Sequence, residues 1–435
     1  MTSTAAIAGR KIFLNISSFQ ILTMFRRGLF YSYLSIYLRF SLGLSVTETT
    51  LFASLPMIAN VIFQNFVWGR VSDHFQIRRT LIIIGELLAA VITFIVWYVH
   101  TLPESYNAAG YVIIIGLTVV EIFWSMSNVA WTALLSDLYP EKERAGLLGK
   151  MQSMGAAGRF VGVWIGGLLY DGIPFRYEGW GFHQGWLFFI ACAAMVLSTV
   201  PMLFVPEGGV AWAQKFRPRN ESDNPTSKID ENAGVSKRFM IFLLAMICIY
   251  FGLNAIVVLK SQYLSLDEGF DISSRTLSYI VNTTTVAIFI SGLFIKRLSD
   301  RFKDENLLMV GIGAGILYLI GYGLTDRLEM IYFSEALCGV SFSMIMASSY
   351  AYASRLIPAG KRGKQFAMYN ATFFLSWGVP GTFIAGPLVD KLISSGMAQT
   401  EAYRLAFVAS ALIMVIGAGI LFYNTRMKNV NTYHK

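Results

Sequence analysis

Four charged residues sit where an apolar sequence should carry none. Arg26 and Arg27 fall inside one long apolar run, Glu121 inside another and Arg159 inside a third. If those runs cross a bilayer, each ion costs roughly 2.5–3.5 kcal/mol even on the lenient insertion scale, so each needs a reason. At helical spacing the first run presents Gln20, Met24, Arg27, Tyr31 and Ser35 as one stripe. The second presents Glu121, Ser125, Asn128 and Thr132, and the third Gln152, Gly155 and Arg159. An unpaired arginine in such a stripe attracts a carboxylate or phosphate and can grip it through two parallel hydrogen bonds. A carboxylate that trades an arginine for a proton is a coupling group. Pro140 marks a turn, with Glu121 nineteen residues before it and Arg159 nineteen after, so a hairpin places the two at one depth, where they could pair. Two readings stand side by side. One is a permanent ion pair of little net stability, with Arg26 snorkelling or facing a backbone carbonyl. The other is a working site in which Arg27 has no obvious partner.

The elements that position these groups follow from composition. Of 435 residues, 55% are hydrophobic and only 14% charged, where a soluble protein would carry about a quarter; the mean hydropathy is +0.55. The apolar residues form twelve runs near or above the ~20 residues that cross a bilayer. They lie at 13–38, 49–68, 80–100, 109–135, 146–170 and 186–205, then at 239–263, 275–294, 307–325, 330–354, 363–389 and 402–423. The one long polar stretch, 206–238, lies between the sixth and seventh. The expected fold is an all-α membrane protein with twelve transmembrane helices in two pseudo-symmetric six-helix bundles. Residues 1–205 form the first bundle, 206–238 a cytoplasmic linker and 239–435 the second bundle.

The net charge of +9 does not call for nucleic acid. With a cytoplasmic N-terminus, most Lys and Arg fall in loops on that side. Only Arg39, Arg176, Lys260, Arg275, Arg327, Lys391 and Arg404 fall on the other. That positive-inside pattern puts both termini and the linker in the cytoplasm of a cell inner or plasma membrane. Cys192, Cys248 and Cys338 sit singly in three runs, which indicates neither a disulfide framework nor a metal knuckle. His74, His100, His183 and His434 lie in loops or at span ends, so paired intramembrane haem ligands are not expected. No metal and no cofactor is expected.

The chain also repeats itself. Ser136-Asp137-Leu138-Tyr139-Pro140-Glu141-Lys142-Glu143-Arg144 is answered 218 residues later by Ser354-Arg355-Leu356-Ile357-Pro358-Ala359-Gly360-Lys361-Arg362. Downstream, Gly166-Gly167-Leu168-Leu169-Tyr170-Asp171 is answered by Ala385-Gly386-Pro387-Leu388-Val389-Asp390. Internal repeats of this length mark duplicated membrane bundles. The same offset maps Glu121 to Gly339 and Arg159 to Trp377, so the buried charges were not duplicated.

Between the second and third runs, Gly69-Arg70-Val71-Ser72-Asp73-His74-Phe75-Gln76-Ile77-Arg78-Arg79 resembles the G-x-x-x-D-x-x-x-R-R/K loop of the major facilitator superfamily. A degenerate copy, Lys296-Arg297-Leu298-Ser299-Asp300-Arg301-Phe302-Lys303, occupies the loop between the eighth and ninth runs. Gly149, Gly158, Gly162, Gly166 and Gly167 resemble the glycine motif of the superfamily's antiporters, with Val163 where that motif has proline. Their spacing serves a helix-packing seam equally well. The resemblance covers the whole chain. It implies that spans one, four, seven and ten line a central cavity, which puts Arg27 and Glu121 near a solute path. It also implies a cytoplasmic latch holding the outward-facing state, carried here by Gly69, Asp73, Arg78, Arg79, Asp137 and Arg144; the plainer reading is that these charges only set topology.

The second half offers hydroxyls, amides and aromatics as lining candidates, Asn254 and Tyr369 among them. Its one buried acid, Glu335, is a second protonation candidate, which Lys260 could neutralise; Glu86 reads as structural. The expected solute-binding and coupling set is therefore Arg27, Tyr31, Glu121, Asn128, Arg159, Asn254, Glu335 and Tyr369. Together these features point to a secondary transporter working by alternating access and driven by protons. It would be a monomer in the lipid bilayer moving a small anionic or zwitterionic solute. The alternative is a proton-driven exporter of lipophilic compounds. An enzyme lacks a nucleophile, metal ligands or a phosphate loop here, and the polar linker is too short for a sensor domain.

Overall fold

The computed structural model of the protein describes residues 3–139, 141–209, 235–357 and 362–426. Most of the expected linker lies outside the described residues. Among the described residues there is no strand, and each of the twelve apolar runs carries a helix. In the first half these are α1 (Ser3–Ile36), α2 (Val46–Phe63), α3 (Arg78–His100), α4 (Tyr106–Leu138), α5 (Glu141–Tyr170) and α6 (Trp186–Met202). In the second they are α7 (Lys237–Asn254), α8 (Ser274–Arg301), α9 (Asp304–Leu324), α10 (Leu328–Leu356), α11 (Arg362–Ser376) and α12 (Gln399–Arg426).

Among the described residues, eight helical stretches are long and apolar enough to cross a membrane on their own, and a ninth is a pair of helices bent by 47° after Ser376. The other three runs are α1, α5 and α6. Arg26 and Arg27 fall in α1 and Arg159 in α5, and α6 is short, at 17 residues. Local chemistry sets several ends. Ser45 and Glu48 form a reciprocal capping box at the start of α2, with the Ser45 N–H donating to Glu48 Oε2 at 2.7 Å. Breaks fall where span seven unwinds after Asn254 and where α11 ends at Ser376.

The described chain forms two compact units, Met1–Asn224 with Asp271–Asn282, and Pro225–Phe270 with Thr283–Lys435. Within the first, α1 packs on α5 and α6, and α3 on α4 and α6. Within the second, α7 packs on α11 and α12, and α9 on α10 and α12, so the duplicated sequence repeats its pairings. The α1–α5 contact explains the glycine pattern of α5. A Cβ on Gly158 would collide with the Ile21 carbonyl, and one on Gly162 with the Phe25 carbonyl, while Gly28 of α1 meets the Arg159 carbonyl in return. Backbones approach this closely only through small residues, so these glycines form a packing seam. Gly149, at the head of the pattern, faces nothing within 4 Å.

Candidate functional site

The intramembrane charges of the first unit gather around one indole ring. On α4, Glu121 and Trp124 lie within one turn of each other and both are buried. The Arg27 guanidinium lies over the Trp124 ring, 4.1 Å from its centroid, and that of Arg26 lies 4.6 Å from it. Trp124 Nε1 donates to Glu86 Oε1 of α3 at 2.8 Å, and Ser127 Oγ donates to the same oxygen at 2.9 Å. Glu121 takes a different partner: Asn60 Nδ2 of α2 donates to its Oε1, and Gln64 Nε2 donates to Asn60 Oδ1 at 2.6 Å.

The expected residues of this half therefore fall into a graded arrangement. Arg27, Tyr31 and Glu121 act on one another electrostatically, and Arg159 acts on Arg27. Among the described residues no side chain hydrogen-bonds or ion-pairs with Arg27. Among the described residues Arg26 donates only to Met195 Sδ, at 3.5 Å, and its Nε and Nη2 are buried without a partner. Asn128 sits two turns beyond Glu121 on α4 and is half-buried. Three guanidinium groups and two carboxylates leave one positive charge in excess when both acids are ionised. Sequence reasoning missed Asn60, Gln64 and Trp124. The signal for the first two was present, since two amides four residues apart in an apolar span share one helix face.

In the second unit the expected residues fall in separate places. Glu335 is fully buried and saturated: Lys260 Nζ approaches its carboxylate oxygens at 2.8 and 3.0 Å, Tyr322 OH donates at 2.6 Å, and Thr284 Oγ1 donates as well. Fourteen residues further along α10, about 21 Å by helical rise, Ser349 lies 2.6 Å from the Tyr369 hydroxyl, which is also 3.3 Å from Tyr250. Asn254, at the end of α7, donates to Ser376 Oγ at 2.7 Å and so ties the break in span seven to the break in span eleven.

The loop residues expected to form a latch meet where α3 begins and α4 ends. Arg78 donates to Ser72 Oγ, reaches Asp73 at 3.2 Å and lies 3.5 Å from Asp137. Asp73 is 82% exposed on its side chain and Asp137 only 19%, so Asp137 is the partner least screened by water. Arg79 pairs with Glu207 at 3.1 Å, and Glu207 also accepts from the Thr80 N–H and hydroxyl. Gly208 and Gly209 both have positive φ, at 81° and 86°, a turn that brings the Gly209 N–H to Asp137 Oδ2 at 2.8 Å. Glu207 lay in the stretch read as linker and was not anticipated. A Cβ on Gly69 would meet the Gln64 carbonyl. The Arg144 side chain lies outside the described residues.

With this geometry in view, comparisons with known proteins converge. The family described as the Major Facilitator Superfamily matches residues 16–382. The multi-drug resistance efflux pump PmrA homolog of Lactococcus lactis subsp. lactis (strain IL1403) is 22% identical over 407 residues, covering 91% of this chain and 90% of that protein. Multidrug resistance protein 2 of Bacillus subtilis (strain 168) is 26% identical over 151 residues, which span 34% of this chain and 37% of that protein. The crystal structure of the nucleoside transporter NupG superposes with a TM-score of 0.71 at 15% identity, covering 96% of this chain and all of that one. At that identity the likeness is one of fold.

Proposed function

The chain belongs to the major facilitator superfamily, an integral multi-pass membrane transporter, and on that premise we propose that it is a proton-coupled secondary transporter of a small anionic or zwitterionic solute. It works as a monomer by alternating access of two bundles, residues 1–205 and 239–435, joined by the 206–238 linker. The positive-inside pattern supports placing both termini in the cytoplasm. The observation that carries the reading is Arg27, laid on the Trp124 ring with no acid within ion-pair distance among the described residues. Its N–H edges remain available for a carboxylate or phosphate.

Glu121 is the coupling group in this reading. It is held by the Asn60 amide, which can serve a charged or a neutral carboxyl, since the amide presents both N–H and C=O. Protonating Glu121 removes the negative charge that Arg27 feels, which raises the site's affinity for an anion, so proton and anion favour each other's binding. Tyr31, Asn128 and Arg159 complete the first-half set, with Asn254 and Tyr369 as uncharged contributors from the second. The saturated surroundings of Glu335 support a structural role for it over proton exchange. The Arg78–Asp137 contact supports the latch.

A second reading, a proton-driven exporter of lipophilic compounds, is favoured by the drug-resistance names of the two relatives and by the aromatic platform. Proteoliposome flux under an imposed pH gradient separates the two, with lactate, citrate, glucuronate and phosphate on one side and ethidium and Hoechst 33342 on the other. The anion reading expects pH-driven movement of at least one anion, lost in Arg27→Gln and uncoupled from the gradient in Glu121→Gln. Wild-type behaviour in both variants, or transport of the dyes alone, overturns it.

A further inference from the structure

Trp124 is anchored at one edge and occupied on its face. Its indole N–H is fixed by Glu86 Oε1, which Ser127 Oγ also addresses, and both acid and ring are buried. Two adjacent arginines lie over the ring, Arg27 the nearer. A guanidinium over an indole is attracted by the ring quadrupole, most strongly where water is excluded. It also keeps its in-plane N–H groups pointing outward for other acceptors, which a salt bridge would not.

Resting on the reading that Arg27 binds the solute, we propose that Trp124 is the positioning residue of this site and that Glu86 is the clamp that fixes the platform. The ring aims the Arg27 guanidinium and substitutes for a carboxylate partner, so the cation is held without being neutralised. Glu86, on a helix that supplies no other residue of the expected solute-binding set, makes no hydrogen bond or ion pair with Arg27 among the described residues and holds the indole N–H directly. The two arginines differ in consequence. Arg26 is buried and donates to Met195, while Arg27 is half-buried and lies nearer the ring.

The test uses the full-length protein and phenylglyoxal, an arginine-selective reagent, so it does not depend on knowing the solute. Modification of Arg27 is followed by peptide mass spectrometry, with Arg39 as the internal control for an intact fold. Losing the platform frees the guanidinium, so Trp124→Leu should raise the rate at Arg27 about tenfold, in keeping with the strength of a desolvated cation–π contact. Trp124→Phe, which keeps a ring face, should restore most of the protection. Glu86→Ala should give an intermediate rise, and Glu86→Gln, which still offers an oxygen to the indole, a smaller one. An unchanged Arg27 rate in Trp124→Leu with Arg39 also unchanged overturns the proposal, as does equal loss of protection in Trp124→Phe. If Trp124→Leu unfolds the chain, Arg39 accelerates too, and the Phe and Glu86 variants decide. Failure of the solute reading is seen separately: Arg27→Gln then transports normally whatever the labelling shows. Where Arg27→Gln does lose transport, Trp124→Leu must add no further loss in that background; independent, additive losses overturn the positioning role while leaving the solute reading intact.

Discussion

Glu335 offers the sharpest energetic prediction. Its carboxylate is fully buried and accepts from the Lys260 ammonium, the Tyr322 hydroxyl and the Thr284 hydroxyl. Glu335→Ala leaves Lys260, only 13% exposed on its side chain, without a counter-ion, which costs about 3–5 kcal/mol. The two hydroxyls lose their acceptor as well, at about 1–3 kcal/mol each when nothing replaces it. The total approaches the whole stability of a typical domain, about 5–15 kcal/mol, so Glu335→Ala should fail to accumulate as folded protein. Glu335→Gln keeps an acceptor for the hydroxyls and should lose only the ionic part, about 3–5 kcal/mol. Removing both charges in Lys260→Met with Glu335→Gln leaves no buried ion, so the double variant should be more stable than Glu335→Gln alone.

The chain carries its own reporter for this assay. Cys192, Cys248 and Cys338 are half-buried thiols that form no disulfide among the described residues, so a thiol-reactive fluorophore in detergent reads their exposure on heating. The expected order of midpoints is wild type, then the double variant, then Glu335→Gln. A Glu335→Gln midpoint equal to wild type, or a double variant below both single changes, would refute the argument that the pair is a closed structural unit. The double variant should also retain pH-driven flux if Glu335 plays no part in proton exchange.

The packing seam and the loop cluster make further predictions. Gly162→Leu should abolish folded expression, because its Cβ collides with the Phe25 carbonyl, whereas Gly149→Leu should leave the melting midpoint unchanged, since nothing lies within 4 Å. Asp137→Asn should cost about 1–3 kcal/mol in thermal unfolding, because Arg78 is buried against it. Asp73→Asn should cost under about 1 kcal/mol, because that carboxylate is largely in water.

Much of the fold was readable because hydrocarbon leaves the chain few options: backbone groups must pair within the segment, so length and apolarity alone locate spans. The repeat located the hairpins too, since Pro140 and Pro358 each sit in a short charged break between two apolar runs. What could not be read was side-chain partnership across helices. Equal depth could bring Arg159 to mind for Glu121, but depth says nothing of rotation about the helix axis, and so it gave no sign of the Asn60 amide that donates to Glu121. Trp124 was invisible as a site residue because an indole in an apolar span is unremarkable until two guanidiniums are found over it. Glu207 was hidden for another reason: it lies past the sixth apolar run, where hydropathy registers nothing, and pairs back onto Arg79 and Thr80.

The two loop clusters share a position and reverse its charge. In the first unit a base opens α3 and an acid closes α4, Arg78 with Asp137; in the second, acids open α9 and a base closes α10, Asp304 and Glu305 with Arg355 at 3.1 Å. The repeat offset carries Asp137 onto Arg355, so at the closing helix the inversion falls on the equivalent residue. Helix dipoles favour acids at N-termini and bases at C-termini, each by about 0.3–1 kcal/mol. The second-half pair is aligned with both of its helices and the first-half pair opposed to both. The first-half contact is thus held by its own Coulomb attraction against the dipoles, which would suit the proposed latch. Exchanging the charges, Arg78→Asp with Asp137→Arg, keeps the pair and turns both dipole terms favourable, a swing of about 1–4 kcal/mol at low salt. The exchanged protein should melt later at low ionic strength, lose that advantage in high salt and transport more slowly. A swap that leaves melting unchanged, or stabilises equally at all salt concentrations, would show that the dipoles do not distinguish the two clusters.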